Sequence, residues 1–582
     1  MFHRKSIPLK AFWEAVERRL AACSTDGLRA ILRAMARETR PTGRQAFLEK
    51  LERAEDAGDA VRRALQQDAL LSDIEDLAEE LEATMAEAEP SEERYDRYDW
   101  GEWSDYDDED SLGPYEDFVE PLVELFDRAR AAFDYGLLSL AREAYGKLFG
   151  TLDHEDEYGR GVSISDLSGV DAGEAYACYL RAVYETEPLE RRPEALLAHM
   201  RQVQLGLDRP RPMLDDLVQI SPRPLPDRER FLAGWTAYLR TQSGSDADAW
   251  LREAVRLSQG TPGLEALARA EGRARPRAYL DWFTALEEEG RHDEVLAAAR
   301  EALQALPADL PVRAAVADHL CAAAARLDEP EALRAGRWEA LLARPTLSRL
   351  LDLSDAFPAG RERTARMRQA VGYLEDRLAH PPEIAWERDN LERAVPVRKA
   401  VLAHACLLAG ELEAARQLAA RARVLGWSSG DNPQGLVVAF FLVLLSGSAP
   451  GALPPNLAQF WRRRLGDSID AWFGSEQDEL QARLGRAYTE RFATTALSGE
   501  SRERVHSWCL DVAGRRIDAI VGGQHRASYG KAATLTAASA EVLRLRGDPQ
   551  RSAAWVNEVR THFPRHRAFQ AELRTALARM ER

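Results

Sequence analysis

The strongest constraint on this 582-residue chain is an apolar pattern that repeats with the period of an α-helix and is broken by single glycines. Leu122, Leu125, Phe126, Ala129, Ala132 and Phe133 recur at steps of three and one, which gathers them on one helical face. Tyr279, Trp282, Phe283 and Leu286 do the same before Gly290, and Val295, Ala299, Ala302 and Leu306 do so after it. No stretch bounded by turn residues alternates with the period of a strand, and alanine, leucine, arginine and glutamate, all good helix formers, fill the sequence. The pattern predicts an all-α fold of helical hairpins, with Gly136, Gly290, Gly410 and Gly547 each ending one helix and admitting the next.

The longest apolar run, LVVAFFLVLL at 436–445, is half of the roughly 20 residues a membrane-spanning helix needs, and reads as a buried helix. The first residues, MFHRKSIPLKAFWEAVERRL, lack the apolar stretch of a signal peptide. Five scattered cysteines without a CxxC pair speak against a disulfide framework or a CxxC zinc site. The expectation is a cytoplasmic chain with no membrane partner.

Charge is concentrated. The net charge is −18, and residues 87–117 hold fourteen acids against Arg94 and Arg97, so this one segment supplies −12 of it. Tyr95, Tyr98, Trp100, Trp103 and Tyr106 are interleaved with those acids, and Tyr115 and Phe118 follow. Such acid density does not support a packed core, so 87–118 is expected to be a disordered linker or a surface-docking element. Its aromatic rings offer contact area at low entropic cost and its acids steer toward basic partners, which makes those five aromatics the candidate partner-binding residues. The rest of the chain is nearly neutral, and 72 of the 78 basic residues of the whole chain are arginine, a bias that follows from a GC-rich genome. A near-neutral to acidic body argues against a nucleic-acid partner.

The stretch YLDWFTALEEEGRHDEVLAAAREALQALP (279–307) places Tyr279 and Trp282 early in a first helix, Gly290 at the turn, Ala299 and Ala302 in a second helix and Pro307 at its end. In this it resembles a tetratricopeptide repeat, with Phe283 and Val295 departing from the family's small residues. Weaker copies surround Gly136 (Ala129, Ala141, Tyr145), Gly410 (Leu402, Ala403, Ala415, Ala422) and Gly547 (Ala540, Pro564). VRAAVADHLC (312–321) and VRKAVLAHAC (397–406) align without a gap. The resemblance implies divergent helical-hairpin repeats stacked into a curved solenoid, a fold that binds other proteins in a concave groove. A fainter likeness links RWEALLARPTLSRLLDLSDAF (337–357) and FPRHRAFQAELRTAL (563–577) to helical regions of bacterial SWIM-type zinc-finger proteins, but the CxC…CxH motif of that family is absent, so no metal role follows.

Several clusters invite chemistry. His319 with Cys321 and His404 with Cys406 could supply four zinc ligands, yet helical residues two apart point about 200° from each other. Arg313 with His319, and Arg398 with His404, resemble the arginine–histidine pair of HEPN-type ribonucleases, in which arginine stabilises phosphate and histidine moves protons; here they stand about 240° apart on a helix. A surface arginine and a half-buried histidine are the expected roles. The loop run Asp153, His154, Glu155, Asp156, Glu157 lacks the spaced ligands of a calcium loop and reads as solvated. His506, Trp508 and Cys509 carry no flanking nucleophile signature, and phosphate-loop, zinc-protease and nucleophile-elbow motifs are absent. No catalytic residue, metal or cofactor is assigned.

The expected organisation is a helical region at 1–86, the acidic linker at 87–118, and helical-repeat blocks at 119–275, 276–450 and 451–582. The expected function is a non-catalytic protein-interaction scaffold. A dedicated regulatory subunit that sequesters one enzyme or transcription factor is the first alternative, and a nucleic-acid-binding or cleaving repeat protein the second.

Overall fold

The computed structural model describes residues 67–86, 112–152, 154–156, 160–202, 212–308, 310–381, 395–429, 431–469 and 475–581, with Arg18, Arg19 and Met35 besides. The described residues form 23 α-helices and no strand. They divide into two units, 1–263 and 264–582.

The first unit holds α1 (Gln67–Ala86), α2 (Val119–Asp134), α3 (Leu138–Leu152), α4 (Ala172–Thr186), α5 (Arg192–Gln202), α6 (Leu214–Gln219), α7 (Arg228–Leu239) and the start of α8 (Ser245–Glu271). The long span of α8 breaks at Gly260, whose backbone is non-helical, two residues before Pro262. Each of α1 to α4 packs on the next helix, α5 packs on α7, and α6 packs back on α4. Their shared core is aromatic: Phe149 stacks on Tyr176 with ring centroids 4.2 Å apart and meets Phe126 and Tyr179 edge-on. The proline-containing segment 212–226 is tied into this unit by side chains. Its carbonyls accept from Trp250 Nε1 at Pro212 (2.9 Å), from Arg181 at Leu217, Arg223 and Pro224, and from Tyr184 Oη at Pro226 (2.7 Å). Proline has no N–H to donate, so ladder bonds are unavailable and side-chain donors satisfy the exposed carbonyls. At the start of α6 the carboxylate of Glu253 accepts from the N–H groups of Leu214 and Asp215, both 2.9 Å away. Burial pushes the Glu253 pKa up to about 7 even so.

The second unit runs through α9 (Arg277–Glu288), α10 (His292–Ala305), α11 (Arg313–Arg326), α12 (Pro330–Ala343), α13 (Leu347–Asp355), α14 (Arg361–Ala379), α15 (Lys399–Ala409), α16 (Leu412–Ala420), α17 (Gln434–Ser446), α18 (Pro455–Gly466), α19 (Ser475–Thr494), α20 (Gly499–Val521), α21 (Tyr529–Leu545), α22 (Pro549–His562) and α23 (Arg567–Met580). From α9 to α16 each helix packs on the next, as stacked hairpins require. Beyond that the order changes: α21 packs on α17, α18, α20, α22 and α23, and α19 returns to α13 and α15. The apolar run at 436–445 lies in α17, where all but Leu444 are buried, as a helix apolar on every side must be. Among the described residues no helix is long and apolar enough to cross a membrane.

The hairpin turns share one geometry. Gly136, Gly290, Gly410 and Gly547 have φ of +77°, +74°, +79° and +83°. In each, the residue after the glycine donates back to the carbonyl five positions earlier: Leu137 to Ala132, Arg291 to Leu286, Glu411 to Cys406 and Asp548 to Leu543. This is the Schellman closure, which satisfies the last carbonyls of a helix and needs the left-handed conformation that glycine adopts without strain. Asp328 (φ +56°) and Gln524 (φ +58°) make the same closure without glycine, through Glu329 to Ala324 and His525 to Ile520.

Close packing of the hairpins rests on small residues. Ala129, Ala141, Ala299, Ala302, Ala403, Ala415 and Ala540 are all fully buried, as their place in the repeat pattern predicts. Between α11 and α12 the contact is tighter still, because a Cβ at Gly336 would lie 2.6 Å from Cys321 Sγ and 2.8 Å from Leu320 Cδ2. Gly372 in α14 is the contrast, with nothing within 4 Å. Gly336→Ala is expected to lower the thermal midpoint, overpacking at about 1–3 kcal/mol exceeding the roughly 1 kcal/mol gained in helix propensity. Gly372→Ala is expected to raise it. Equal shifts in the two variants, read by circular dichroism melts, would contradict this packing.

Candidate interaction surface

The five aromatics proposed for partner binding, Tyr95, Tyr98, Trp100, Trp103 and Tyr106, lie outside the described residues. The end of the same segment is described and packed. Gly113–Phe118 is a 3-10 helix with Tyr115 and Phe118 buried, so a wholly unpacked linker to residue 118 is not what forms. Tyr115 Oη donates to Asp156 at 2.9 Å, and Asp156 also accepts from the Arg160 amide (2.8 Å) and Arg160 Nε (2.9 Å). The Asp156 side chain is therefore buried and occupied, which corrects the reading of its loop as solvated. Asp153 and Glu157 lie outside the described residues, and His154 is exposed.

The two aligned segments place their histidines differently. His319 is half-buried, with Nδ1 2.8 Å from Glu287 and its ring edge-on to Phe283. His404 is fully buried, with Nδ1 2.7 Å from Tyr488 Oη and Nε2 2.9 Å from Ser468 Oγ. The Ser468 hydroxyl donates its one proton to the Leu465 carbonyl at 2.6 Å, so His404 Nε2–H must donate to Ser468. Nδ1 is then the acceptor from Tyr488. Burial holds His404 neutral, with its pKa lowered to about 3.

Arg313 is buried as well, where a surface arginine was expected. It donates to the carbonyls of Leu303 and Leu306 at the end of α10 and to Glu339, so its guanidinium closes a helix terminus. Arg398 is half-buried just before α15. Burial pushes the Cys321 thiol up to about 11 and the Cys406 thiol up to about 12. His506 and Cys509 are both fully buried: burial, then Arg546 and Arg551, lower His506 to about 4, and burial pushes the Cys509 thiol far up. A thiol so shifted is a neutral packing group, not a thiolate. Among the described residues no three His, Cys, Asp or Glu side chains come together as a metal-sized group.

A constellation that the sequence reading missed surrounds Trp427, in the loop before α17. Arg516 of α20 stacks on the indole with its guanidinium carbon 3.9 Å from the ring centroid and donates to the Val424 carbonyl. Arg464, at the end of α18, approaches the same ring at 5.8 Å and Phe460 at 6.0 Å. A Cβ at Gly435 would meet both Arg464 Cδ and Trp427 at 3.0 Å, so that glycine makes room for the stack. Trp427 is itself fixed by Gln434, which accepts from Nε1 at 3.1 Å and donates to the Ala419 carbonyl. Arg463 is exposed beside them and Lys531 half-buried. In sequence only the WRRRLGD run (461–467) hinted at this, one arginine cluster among 72 arginines.

No family model matches the chain, and no curated protein matches it. Among the solved structures similar to the chain, two share 13% identity with it. One is "Structure of Naa15/Naa10 bound to HypK-THB", with 81% of this chain and 65% of that one covered and a TM-score of 0.20. The other is "Crystal structure of APC/C hetero-tetramer Cut9-Hcn1", with 78% and 76% covered and a TM-score of 0.16. The chain thus spans about two thirds of the length of the first, and scores this low carry no argument about its partners.

Proposed function

We propose that the chain is a non-catalytic protein-interaction scaffold of tetratricopeptide-like hairpins, with the acidic aromatic segment as part of its binding mechanism. The observation that carries this reading is the recurrence of one hairpin closure at Gly136, Gly290, Gly410 and Gly547 over alanine-lined helix contacts. Stacked hairpins present side chains from many helices along one face, so recognition comes from extended surface and not from a single reacting centre. In this reading Tyr95, Tyr98, Trp100, Trp103 and Tyr106 compete with a protein partner for an arginine-bearing face, because acids and aromatic rings match such a face.

The test is a nuclease-treated pull-down with the full-length protein and with a variant lacking 87–111, which keeps the packed 3-10 helix at 113–118. The retained protein is then titrated against both. Deletion is expected to tighten binding several-fold. Unchanged affinity would remove the acidic segment from the mechanism, and retention of nucleic acid alone, once nuclease is omitted, would overturn the scaffold reading.

A further inference from the structure

We propose that the cleft between α22 and α23 is a docking site for an acidic segment of a partner protein, which seats one aromatic or long aliphatic side chain between Arg544 and Arg560. The inference deepens the scaffold reading and rests on it for the class of occupant, a protein. α22 and α23 each pack on α21 and scarcely on each other. α22 is tied to α21 by the Ser552 hydroxyl, which donates to the Ala540 carbonyl at 2.8 Å, and by Trp555 Nε1, which donates to the Thr536 carbonyl at 3.2 Å. α23 is held by the buried side chains of Phe569, Leu573 and Ala576. The hairpin is closed at its turn, where Gln570 donates to the carbonyls of Arg560 and Phe563, both 3.0 Å away. Toward the far end of α23 it opens into a cavity of about 250 Å³.

Ala553, Val556 and Arg560 fall at steps of three and four along α22, so they share one helical face, and Leu577 and Met580 do the same at the end of α23. These groups are exposed or half-buried, so the cavity is open to solvent. Its volume lies below the roughly 300–1,000 Å³ of small-molecule sites and suits a single large side chain. Arg544, in the last turn of α21, and Arg560 line it and are exposed, and among the described residues neither guanidinium has a hydrogen bond or an ion pair. Glu541, one turn before Arg544, is committed to Asn456 and Leu457. Residues 544–581 carry eight arginines against four acids, a net charge of +4, in a chain whose net charge is −18. Charge complementarity therefore selects an acidic occupant, whose carboxylates match the forked guanidinium donors on either side of an apolar anchor. Among the described residues Glu581 is the one acid that lines the cavity; it repels a phosphate strand but accepts from a peptide N–H.

The test titrates the full chain, and the form lacking 87–111, with a blocked synthetic pentapeptide that carries tryptophan between two pairs of aspartates. Calorimetry is expected to show saturable binding of one peptide per chain. Alanine in place of the tryptophan, or asparagine in place of the aspartates, should each weaken it about tenfold or more. R544Q with R560Q should do the same, and A553W, which fills the cavity from an exposed position, should abolish binding. Both variants should keep the wild-type thermal midpoint. Absence of saturable binding to both forms of the protein, or equal affinity in wild type and either variant, overturns the site. A single-stranded oligonucleotide that binds more tightly than the peptide, and is lost in R544Q with R560Q, overturns the peptide in favour of nucleic acid. The pull-down uses no peptide, so a failed titration beside a retained protein partner removes this cleft and leaves the scaffold reading standing.

Discussion

Replacing Arg181 with methionine should lower the thermal midpoint of the first unit by about 10 °C. Arg181 has no exposed surface, and its guanidinium donates to the carbonyls of Leu217 at 2.9 Å and of Arg223 and Pro224 at 3.0 Å, besides pairing with Glu185. Methionine fills much of the volume but offers no donor. Three carbonyls and one carboxylate then lose their partner, and breaking such a buried set costs about 3–5 kcal/mol. At about 2–4 °C per kcal/mol for a unit of this size, the midpoint falls by the stated amount. The same variant should be cut within 212–226 by a protease selective for apolar residues, because those carbonyls anchor that segment to α4. Arg192→Met, which loses bonds to Glu187 and Pro226 at its rim, should show a smaller shift. An unchanged midpoint and cleavage pattern in R181M would mean that the segment is held by packing alone.

The second large effect is acid destabilisation confined to one unit. His404 and His506 are buried and neutral, with folded pKa values of about 3 and about 4 against an ordinary 6.5. Below pH 6.5 the unfolded chain takes up protons that the folded chain refuses, so stability falls as pH drops from 6.5 toward 4. By pH 5 the two histidines together cost the second unit about 4 kcal/mol. Glu541, raised by burial at the start of α18, offsets part of this. In the first unit Glu253 acts the other way. Its folded pKa is above its unfolded one, so its contribution is full below about 4.5 and is lost as pH rises through about 7. Calorimetric scans should show the transition of the second unit moving down between pH 7 and pH 5 while the first holds or rises. In His404→Gln the slope for the second unit should fall by about half. A second-unit midpoint that is the same at pH 7 and pH 5 would rule this out.

The hairpins were readable because glycine marks four of the turns and alanine marks the close contacts. The turns at Asp328 and Gln524 were not, since a left-handed aspartate or glutamine leaves no distinctive letter in the sequence. Asp156 reads as solvated in sequence for a related reason: its partner Tyr115 lies 41 positions away, and nothing local reveals a buried bond across that distance. Arginine was the hardest residue to interpret. Arg181, Arg313, Arg464 and Arg516 are buried and bonded or stacked, while many others are exposed, and composition treats all of them alike. The cluster around Trp427 draws its groups from a loop and from helices distant in sequence, so it exists only once the chain is folded.

The burial of α17 on every side has a consequence for the chain as it is made. Its ten apolar residues leave the ribosome well before α20 and α21, which lie at Gly499–Val521 and Tyr529–Leu545 and supply much of its cover. The amino end of α18 waits equally long, because Asn456 and Leu457 donate to the carboxylate of Glu541, some 85 positions downstream. At about 5–20 residues per second, synthesis leaves this greasy helix without its final neighbours for on the order of ten seconds. Nascent chains of this protein therefore pass through a stage at which the apolar surface of α17 waits for the neighbours that will bury it.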